Sequence, residues 1–241
     1  MRSKLNVVVL LTLAAFGTAS AAFAEASRKP SRQSAGHLEV KGSQKGLIAI
    51  VNGQSRVSAK DLEAAAAVIV KQTMCRAEVC DGKGAQVVIE VVDRKGESAL
   101  TVCPEDHKAT VNVDGLVQGL SGDAVGKFLA TRCRREILRA FCYACGAAGS
   151  QFPNNIMSIS KIADLDLING DFIPGDTATA CQKRLKDIGV TPKQYVPYFA
   201  ACRQGWAPAP TNDIQKAIWD KVHAMPTAPI KIKPEAKKVA E

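Results

Sequence analysis

Histidine and aromatic residues are scarce in this chain of 241 residues, which leaves few candidates for acid–base or stacking chemistry. The three histidines are His37, His107 and His223, and no serine occupies a Gly-x-Ser-x-Gly elbow of the kind that carries a serine nucleophile. Aromatic residues make up only 5% of the chain and are not interleaved with basic residues, so a nucleic-acid-binding module is not indicated. The sequence therefore predicts no cofactor and favours a protein that is not an enzyme.

Long apolar runs are also absent, because no stretch after residue 24 reaches the roughly 20 apolar residues that a transmembrane helix needs. The apolar run at residues 5–16 is shorter than that and follows Arg2 and Lys4. It precedes Ala22-Phe23-Ala24, whose small residues suit a signal peptidase. The pattern predicts a signal peptide over residues 1–24, cleaved near Ala24, and a soluble periplasmic or secreted product.

The net charge of +9 is concentrated at the ends of the chain. Residues 25–46 carry +3 and residues 226–241 carry +2, whereas residues 47–225 carry only +2. Both terminal segments are polar or rich in Pro, Ala and Lys, a composition typical of segments that do not fold by themselves. We expect flexible tails with a weak attraction to anionic surfaces, and an unknown protein or envelope component as partner rather than nucleic acid.

A β-hairpin followed by a helix is expected after the first tail. The apolar run at residues 47–51 is followed by Asn52-Gly53 and a second short run at residues 54–57, which is a typical hairpin pattern. Ser58 is a suitable N-cap for an Ala-rich helix that continues to about Met74.

A small antiparallel sheet is expected next. Alternating and β-branched side chains are typical of strands in a sheet with one solvated face. The candidate strands lie at residues 86–92, 98–103 and 109–113. With the hairpin and the helix they complete a predicted α+β subdomain over residues 47–120.

A mainly helical subdomain is predicted over residues 121–225, because the apolar period changes to about 3.6. Its first helix is long, carries Arg132, Arg135 and Arg139 on one flank and ends at Gly146, a residue suited to the end of a helix. Shorter helices are expected at residues 162–169, 177–188, 192–203 and 213–225.

Eight cysteines, all after the predicted signal peptide, indicate disulfide bonds in an oxidising compartment. Cys181 and Cys202 lie on two predicted helices joined by a short loop, so we expect them to pair across a helical hairpin. The fold class is therefore α+β, with the N-terminal hairpin, helix and small sheet packed on a disulfide-braced helical region. The pairing of the other cysteines stays open: Cys75, Cys80, Cys103, Cys133, Cys142 and Cys145.

Cys142 and Cys145 form a C-x-x-C motif, whose catalytic interpretation is a thiol–disulfide oxidoreductase. The pair lies at the C-terminal end of the predicted long helix, where the helix dipole disfavours a thiolate. Attachment of a c-type haem requires histidine at position 146, where this chain has Gly146. Structural cross-links are therefore favoured over redox catalysis at these two residues.

A zinc site is the alternative interpretation of the cysteines before residue 110. Cys75, Cys80, Cys103 and His107 supply four ligands of the kind that zinc prefers, but their spacing is not that of a compact zinc motif. We therefore assign no metal to the chain and keep this set as the alternative.

Residues 48–53 followed by residues 58–62 resemble the opening of parvulin-type periplasmic chaperones, in which a short hairpin leads into a helix. The resemblance covers residues 48–62 alone. The favoured function is that of an exported, soluble, disulfide-stabilised protein with a noncatalytic binding or envelope-associated role. The alternatives are a thiol–disulfide oxidoreductase that uses Cys142 and Cys145, and a periplasmic chaperone or assembly factor.

Overall fold

The computed structural model describes residues 34–153 and 155–225. The predicted signal peptide (residues 1–24), the first part of the predicted basic tail (residues 25–46) and the predicted tail at residues 226–241 lie outside the described residues, so these interpretations stay predictions. The chain divides into a main unit, Glu39–Tyr195, and a terminal unit formed by the described parts of Met1–Leu38 and Val196–Glu241. None of the helices in the described ranges combines the length and apolarity needed to cross a membrane.

The described residues form strands and α-helices in a mixed order along the chain. The strands are β1 His37–Glu39, β2 Ile48–Gly53, β3 Ala77–Val79, β4 Val87–Val92, β5 Leu100–Cys103, β6 Lys108–Asn112 and β7 Tyr195–Pro197. The α-helices are α1 Ala59–Thr73, α2 Val113–Leu116, α3 Asp123–Ala144, α4 Gly175–Asp187, α5 Tyr198–Arg203 and α6 Asp213–His223.

A five-stranded mixed sheet in the order β3-β2-β4-β6-β5 forms the centre of the main unit, and β1 pairs with β7 in a second sheet. The pairs β2–β3, β2–β4 and β4–β6 are parallel, whereas β5 runs antiparallel to β6 at one edge. The fold is therefore mixed α/β rather than the predicted α+β arrangement. The predicted strands at residues 86–92, 98–103 and 109–113 correspond to β4, β5 and β6, but their predicted meander is wrong because β4 and β6 are parallel neighbours.

The predicted hairpin at Asn52-Gly53 is also wrong. Strand β2 continues through both residues, with Asn52 opposite Val91 and Gly53 opposite Val92 in parallel register. A Cβ at Gly53 would lie 2.9 Å from Val92 Cγ1, so the glycine permits a close approach of two strands instead of a turn. Three successive residues that begin with Ile48 are fully buried, which means that both faces of β2 are covered, as is typical of a parallel sheet.

Helices α1 and α3 confirm the sequence predictions and pack on each other and on the sheet. The Ser58 side chain caps α1 by accepting a hydrogen bond from the Asp61 backbone N–H, which satisfies one of the free donors at a helix start. Helix α3 spans 22 residues and buries Ile137, Leu138 and Phe141 in the core of the main unit. Its other face is available for polar contacts.

The later helices differ in part from the prediction. The predicted helices at residues 177–188 and 213–225 correspond to α4 and α6, whereas the segment predicted at 162–169 is a 3-10 helix over Ile162–Leu167. The helix predicted over residues 192–203 begins only at Tyr198, because Tyr195–Pro197 is extended and Pro197 is the N-cap residue of α5. The predicted helical hairpin is therefore wrong.

The predicted disulfide bonds are wrong as well, since all eight cysteines are free thiols. Cys202 lies on the short helix α5 rather than on a long partner of the helix that bears Cys181, so the geometry assumed for that pair does not exist. The other cysteines are also unbonded: Cys75, Cys80, Cys103, Cys133, Cys142 and Cys145. The main unit is stabilised by a continuous apolar core instead of cross-links.

Candidate active site

A cleft of about 770 Å³ lies between the edge strand β5 and the C-terminal half of α3. Leu100 and Val102 line it from β5. Glu136, Arg139 and Tyr143 line it from α3. The cleft therefore has an apolar wall from β5, preceded by the acidic Glu97, and a helical wall that carries charge.

The helical wall follows from the sequence of α3. Glu136, Arg139 and Tyr143 are spaced i, i+3 and i+7, which places them on one face of a helix. The apolar residues Ile137 and Phe141 face the core, so the rotation of α3 is fixed by burial of its apolar stripe. Core packing thus turns the polar face of α3 toward the cleft.

A buried ion pair lies at the floor of the cleft. Arg139 Nη1 donates a hydrogen bond to Glu136 Oε1 at 2.9 Å, and the Arg139 guanidinium also lies over the Tyr143 ring at 5.3 Å. The Glu136 side chain is 0% exposed and that of Arg139 is 17% exposed. Burial raises the pKa of Glu136, and the charge and hydrogen bond of Arg139 partly oppose this increase.

Each member of the pair retains one buried polar atom without a hydrogen-bond partner. These atoms are Glu136 Oε2, an acceptor, and Arg139 Nε, a donor. Buried polar atoms are almost always paired, and leaving one unpaired costs about 1–3 kcal/mol. A free acceptor and a free donor on neighbouring side chains in a cleft are typical of a site that is completed by a ligand or by water.

The strand wall of the cleft is an open sheet edge. Among the described strands, β5 pairs only with β6, so its other edge carries backbone groups that are free to bind an extended chain. Gly115 lies against the start of this wall, where an added Cβ would be 2.6 Å from the Ala99 backbone. A residue without a side chain is therefore needed for the wall to approach α2.

Two of the three arginines predicted on one flank of α3 have a structural role. Arg132 donates to Asp166 at 2.9 and 2.6 Å and to Leu116 O at 2.7 Å. Arg135 donates to Asp171 at 2.9 Å and to the Leu165 carbonyl. These bonds hold the segment around Ile162–Leu167, whose first residue lines the cleft.

The thiols of the C-x-x-C motif form a separate buried cluster. Cys142 on α3 and Cys145, which directly follows α3, contact Cys181 on α4, and their hydrogen bonds to it lower the pKa of Cys181. The hydrogen bond with Cys181, together with burial, raises the pKa of both Cys142 and Cys145. This shift is opposite to the one that an attacking thiol needs, so the geometry does not favour the oxidoreductase interpretation.

The structure does not bring the alternative zinc ligands together. Cys75 and Cys80 flank β3 at one edge of the five-stranded sheet, whereas Cys103 ends β5 at the opposite edge. His107 follows β5 and its Nδ1 lies 3.2 Å from the Ala144 carbonyl oxygen. Among the described residues, these four side chains do not form a ligand set.

Neither a family model nor a curated protein matches the chain. Among solved structures it is similar to an archaemetzincin from Methanopyrus kandleri, with 14% identity, a TM-score of 0.48 and coverage of 62% of this chain and 99% of that chain. The chain is also similar to a zinc-dependent peptidase from Methanocorpusculum labreanum, with 11% identity and a TM-score of 0.42. That match covers 56% of this chain and 100% of the peptidase chain.

The predicted function is corrected in its premise. A noncatalytic, disulfide-stabilised envelope protein is wrong, because the cysteines that were expected to stabilise it are unbonded. The oxidoreductase alternative is not favoured, since Cys142 and Cys145 are buried and hydrogen-bonded to Cys181 rather than placed at a helix start. The resemblance behind the chaperone alternative does not hold, because the residues of its expected hairpin belong to a parallel strand.

Zinc does not fit the helical wall of this cleft. Zinc peptidases bind the metal with a helical H-E-x-x-H motif, in some of them extended by x-x-G-x-x-H. When Glu136 is aligned with the glutamate of this motif, Arg135 and Arg139 stand at the positions of the two histidines. Cys145 stands at the position of the third histidine. A guanidinium has no lone pair for a metal, and no three His, Cys, Asp or Glu side chains in the described part of the chain are arranged as a ligand set.

Sequence reasoning missed Glu136. The available signal was an acidic residue directly beside the apolar stripe of α3, three residues before Arg139. Because Lys, Glu, Arg and Asp are almost never fully buried without a partner, such a position indicates either an ion pair or a site. The structure shows the ion pair with Arg139.

Proposed function

We propose that this protein is a hydrolase that cleaves extended polypeptides, with Glu136 as its general base and acid. The observation that carries the proposal is the buried Glu136–Arg139 pair at the floor of a cleft beside an open sheet edge. A buried carboxyl with a raised pKa in a cleft is a characteristic feature of acid–base sites.

Strand β5 accounts for the class of substrate. An extended peptide pairs with an open sheet edge through its backbone, and side-chain pockets beside the edge add selectivity. The cleft volume of about 770 Å³ lies within the range of ligand sites in proteins, and Leu100 and Val102 provide apolar contacts along it. A folded domain does not present its backbone in this way, so the substrate is an unfolded segment or a peptide.

Glu136 supports the proton transfers of amide hydrolysis. Its ionised carboxylate takes a proton from a water molecule, and the oxygen of that water attacks the peptide carbonyl carbon. The carbon–nitrogen bond then breaks, and the leaving amine takes the same proton from Glu136. Arg139 holds the Glu136 carboxylate in place through its bond to Oε1, which leaves Oε2 free to take the proton. One water molecule is consumed, and each step uses side chains of this chain.

A peptidase assay tests this proposal with Glu136→Gln, which preserves the shape of the side chain and removes its base. We expect the unaltered protein to cleave internally quenched peptides, and the variant to lose roughly 100-fold or more in rate. Glu63→Gln is the matched control, because Glu63 is exposed on α1 and does not line the cleft. Circular dichroism verifies that both variants are folded.

Two results would contradict the proposal. One is the absence of cleavage by the unaltered protein across a varied peptide set and a broad range of pH. The other is a folded Glu136→Gln variant that cleaves at the rate of the Glu63→Gln control.

A further inference from the structure

We infer that Arg139 is a carboxylate-binding subsite, so that the cleft selects peptides with a carboxylate near the bond that is cleaved. The inference depends on the proposed function for its substrate class and adds a chemical feature that the substrate must carry. The carboxylate is either the free C-terminus of a peptide or an aspartate or glutamate side chain. Both sources present the same planar pair of acceptor oxygens.

The hydrogen bonds of Arg139 leave one side of its guanidinium open. Nη1 is used by Glu136 Oε1, whereas Nε and Nη2 have no protein partner among the described residues. Nε and Nη2 together form the edge that binds a carboxylate with two parallel hydrogen bonds. Arg139 therefore retains an unused bidentate fork, one atom of which is buried at the cleft floor.

Arg132 on the same helix shows what such a fork binds. Its Nε and Nη2 donate to the two oxygens of Asp166 at 2.9 and 2.6 Å. Within residues 34–153 and 155–225, no aspartate or glutamate binds the corresponding edge of Arg139, although Arg139 is also mostly buried. A carboxylate from outside the chain would complete Arg139 in the same way as Asp166 completes Arg132.

The position of the guanidinium is fixed before a ligand arrives. Its Nη1 is held by Glu136, and its plane lies over the Tyr143 ring at 5.3 Å. An arginine that is fixed in this way loses little conformational freedom on binding, so more of the interaction contributes to affinity. Arg139 is also the one cationic residue among the described residues that line the cleft, so selectivity for a carboxylate depends on this side chain.

Binding of four matched peptides to the full chain tests the inference. The first ends in a free carboxylate and has no acidic side chain, and the second is its C-terminal amide. The third is the amide with one glutamate, and the fourth has glutamine at that position. Fluorescence anisotropy of labelled peptides measures the dissociation constants. We expect roughly tenfold to 100-fold tighter binding of at least one carboxylate peptide than of its neutral counterpart.

Two substitutions at Arg139 separate the fork from the charge. Arg139→Gln removes both, and Arg139→Lys keeps the charge without the planar pair of donors. We expect both variants to reduce the ratio between carboxylate and neutral peptides to near one. Arg56→Gln is the control, because Arg56 is half-exposed and pairs with Asp93, and neither of these residues lines the cleft. The control is expected to keep the ratio of the unaltered protein.

The results distinguish this inference from the proposed function. Equal affinity for all four peptides, with cleavage retained, would overturn the carboxylate subsite and leave the hydrolase proposal intact. A ratio that persists in Arg139→Lys and Arg139→Gln would also overturn it, because the carboxylate would then bind elsewhere. The absence of both binding and cleavage would overturn both proposals.

Discussion

Replacement of Asp166 by alanine is predicted to destabilise the main unit by removing the partner of a buried cation. The Arg132 side chain is 4% exposed and that of Asp166 is 20% exposed. After the substitution, the guanidinium retains only its bond to Leu116 O. Removal of one partner of a buried ion pair costs about 3–5 kcal/mol, and the partial exposure of Asp166 places this case at about 3 kcal/mol.

Urea unfolding followed by circular dichroism measures this loss. Glu78→Ala is the matched control, because the Arg76–Glu78 pair has the same 2.6 Å separation but side chains that are 54% and 45% exposed. Exposed pairs contribute about 1 kcal/mol or less, so the control is expected to change the free energy of unfolding little. The double variant Arg132→Met with Asp166→Ala removes both charges and is expected to recover about 1 kcal/mol or more. Equal losses for Asp166→Ala and Glu78→Ala would refute the argument that burial determines the effect.

Two further predictions concern titrating groups. Burial raises the pKa of Glu136 above its ordinary value of 4.5, and catalysis needs the ionised carboxylate. The rate of peptide cleavage should therefore rise with pH through a midpoint above 4.5. A midpoint at or below 4.5 in the pH profile would contradict this. Because all eight cysteines are unbonded, alkylation in denaturant without a reductant should add eight groups by intact mass, and fewer than eight adducts would show a disulfide. In the native state the exposed Cys103 should react first. Cys133, whose pKa is raised to about 12 by burial, should stay protected.

Local signals in the sequence were sufficient to predict several elements. Ser58 marks the start of α1, and the apolar period of about 3.6 residues identifies α3 over most of its length. The strands β4, β5 and β6 were also found within one or two residues of their observed bounds. Each of these elements is determined by residues that are close together in the sequence. A periodic pattern in the sequence contains information of this local kind.

The arrangement of the strands was not predictable in the same way. Asn52-Gly53 is a strong local signal for a turn, but the pairing of β2 with β4 overrides it. That pairing joins residues almost forty positions apart, and no local pattern indicates it. The disulfide prediction failed for a related reason: the general expectation was based on the compartment, and the Cys181–Cys202 pair was based on a helical hairpin that does not form.

The candidate site was predictable only in part. The sequence placed Arg132, Arg135 and Arg139 on one flank of α3, but it did not show which of them would be neutralised by a distant carboxylate. Asp166 and Asp171 are more than thirty positions from the arginines that they bind. Only after these pairs are known does Arg139 stand out as the arginine with an unused edge.

The parallel register of the central sheet has a consequence for how this protein folds. Ile48 must meet Val87, and Val88 must meet Lys108, before the core strands can form hydrogen bonds. The chain loses conformational entropy when such a long loop closes, before the strand contacts can compensate for that loss. Proteins with many contacts between residues far apart in the sequence therefore fold slowly. The antiparallel contact between β5 and β6 spans a much shorter loop and can form early. We therefore expect the strand that lines the cleft to exist before the sheet that supports it.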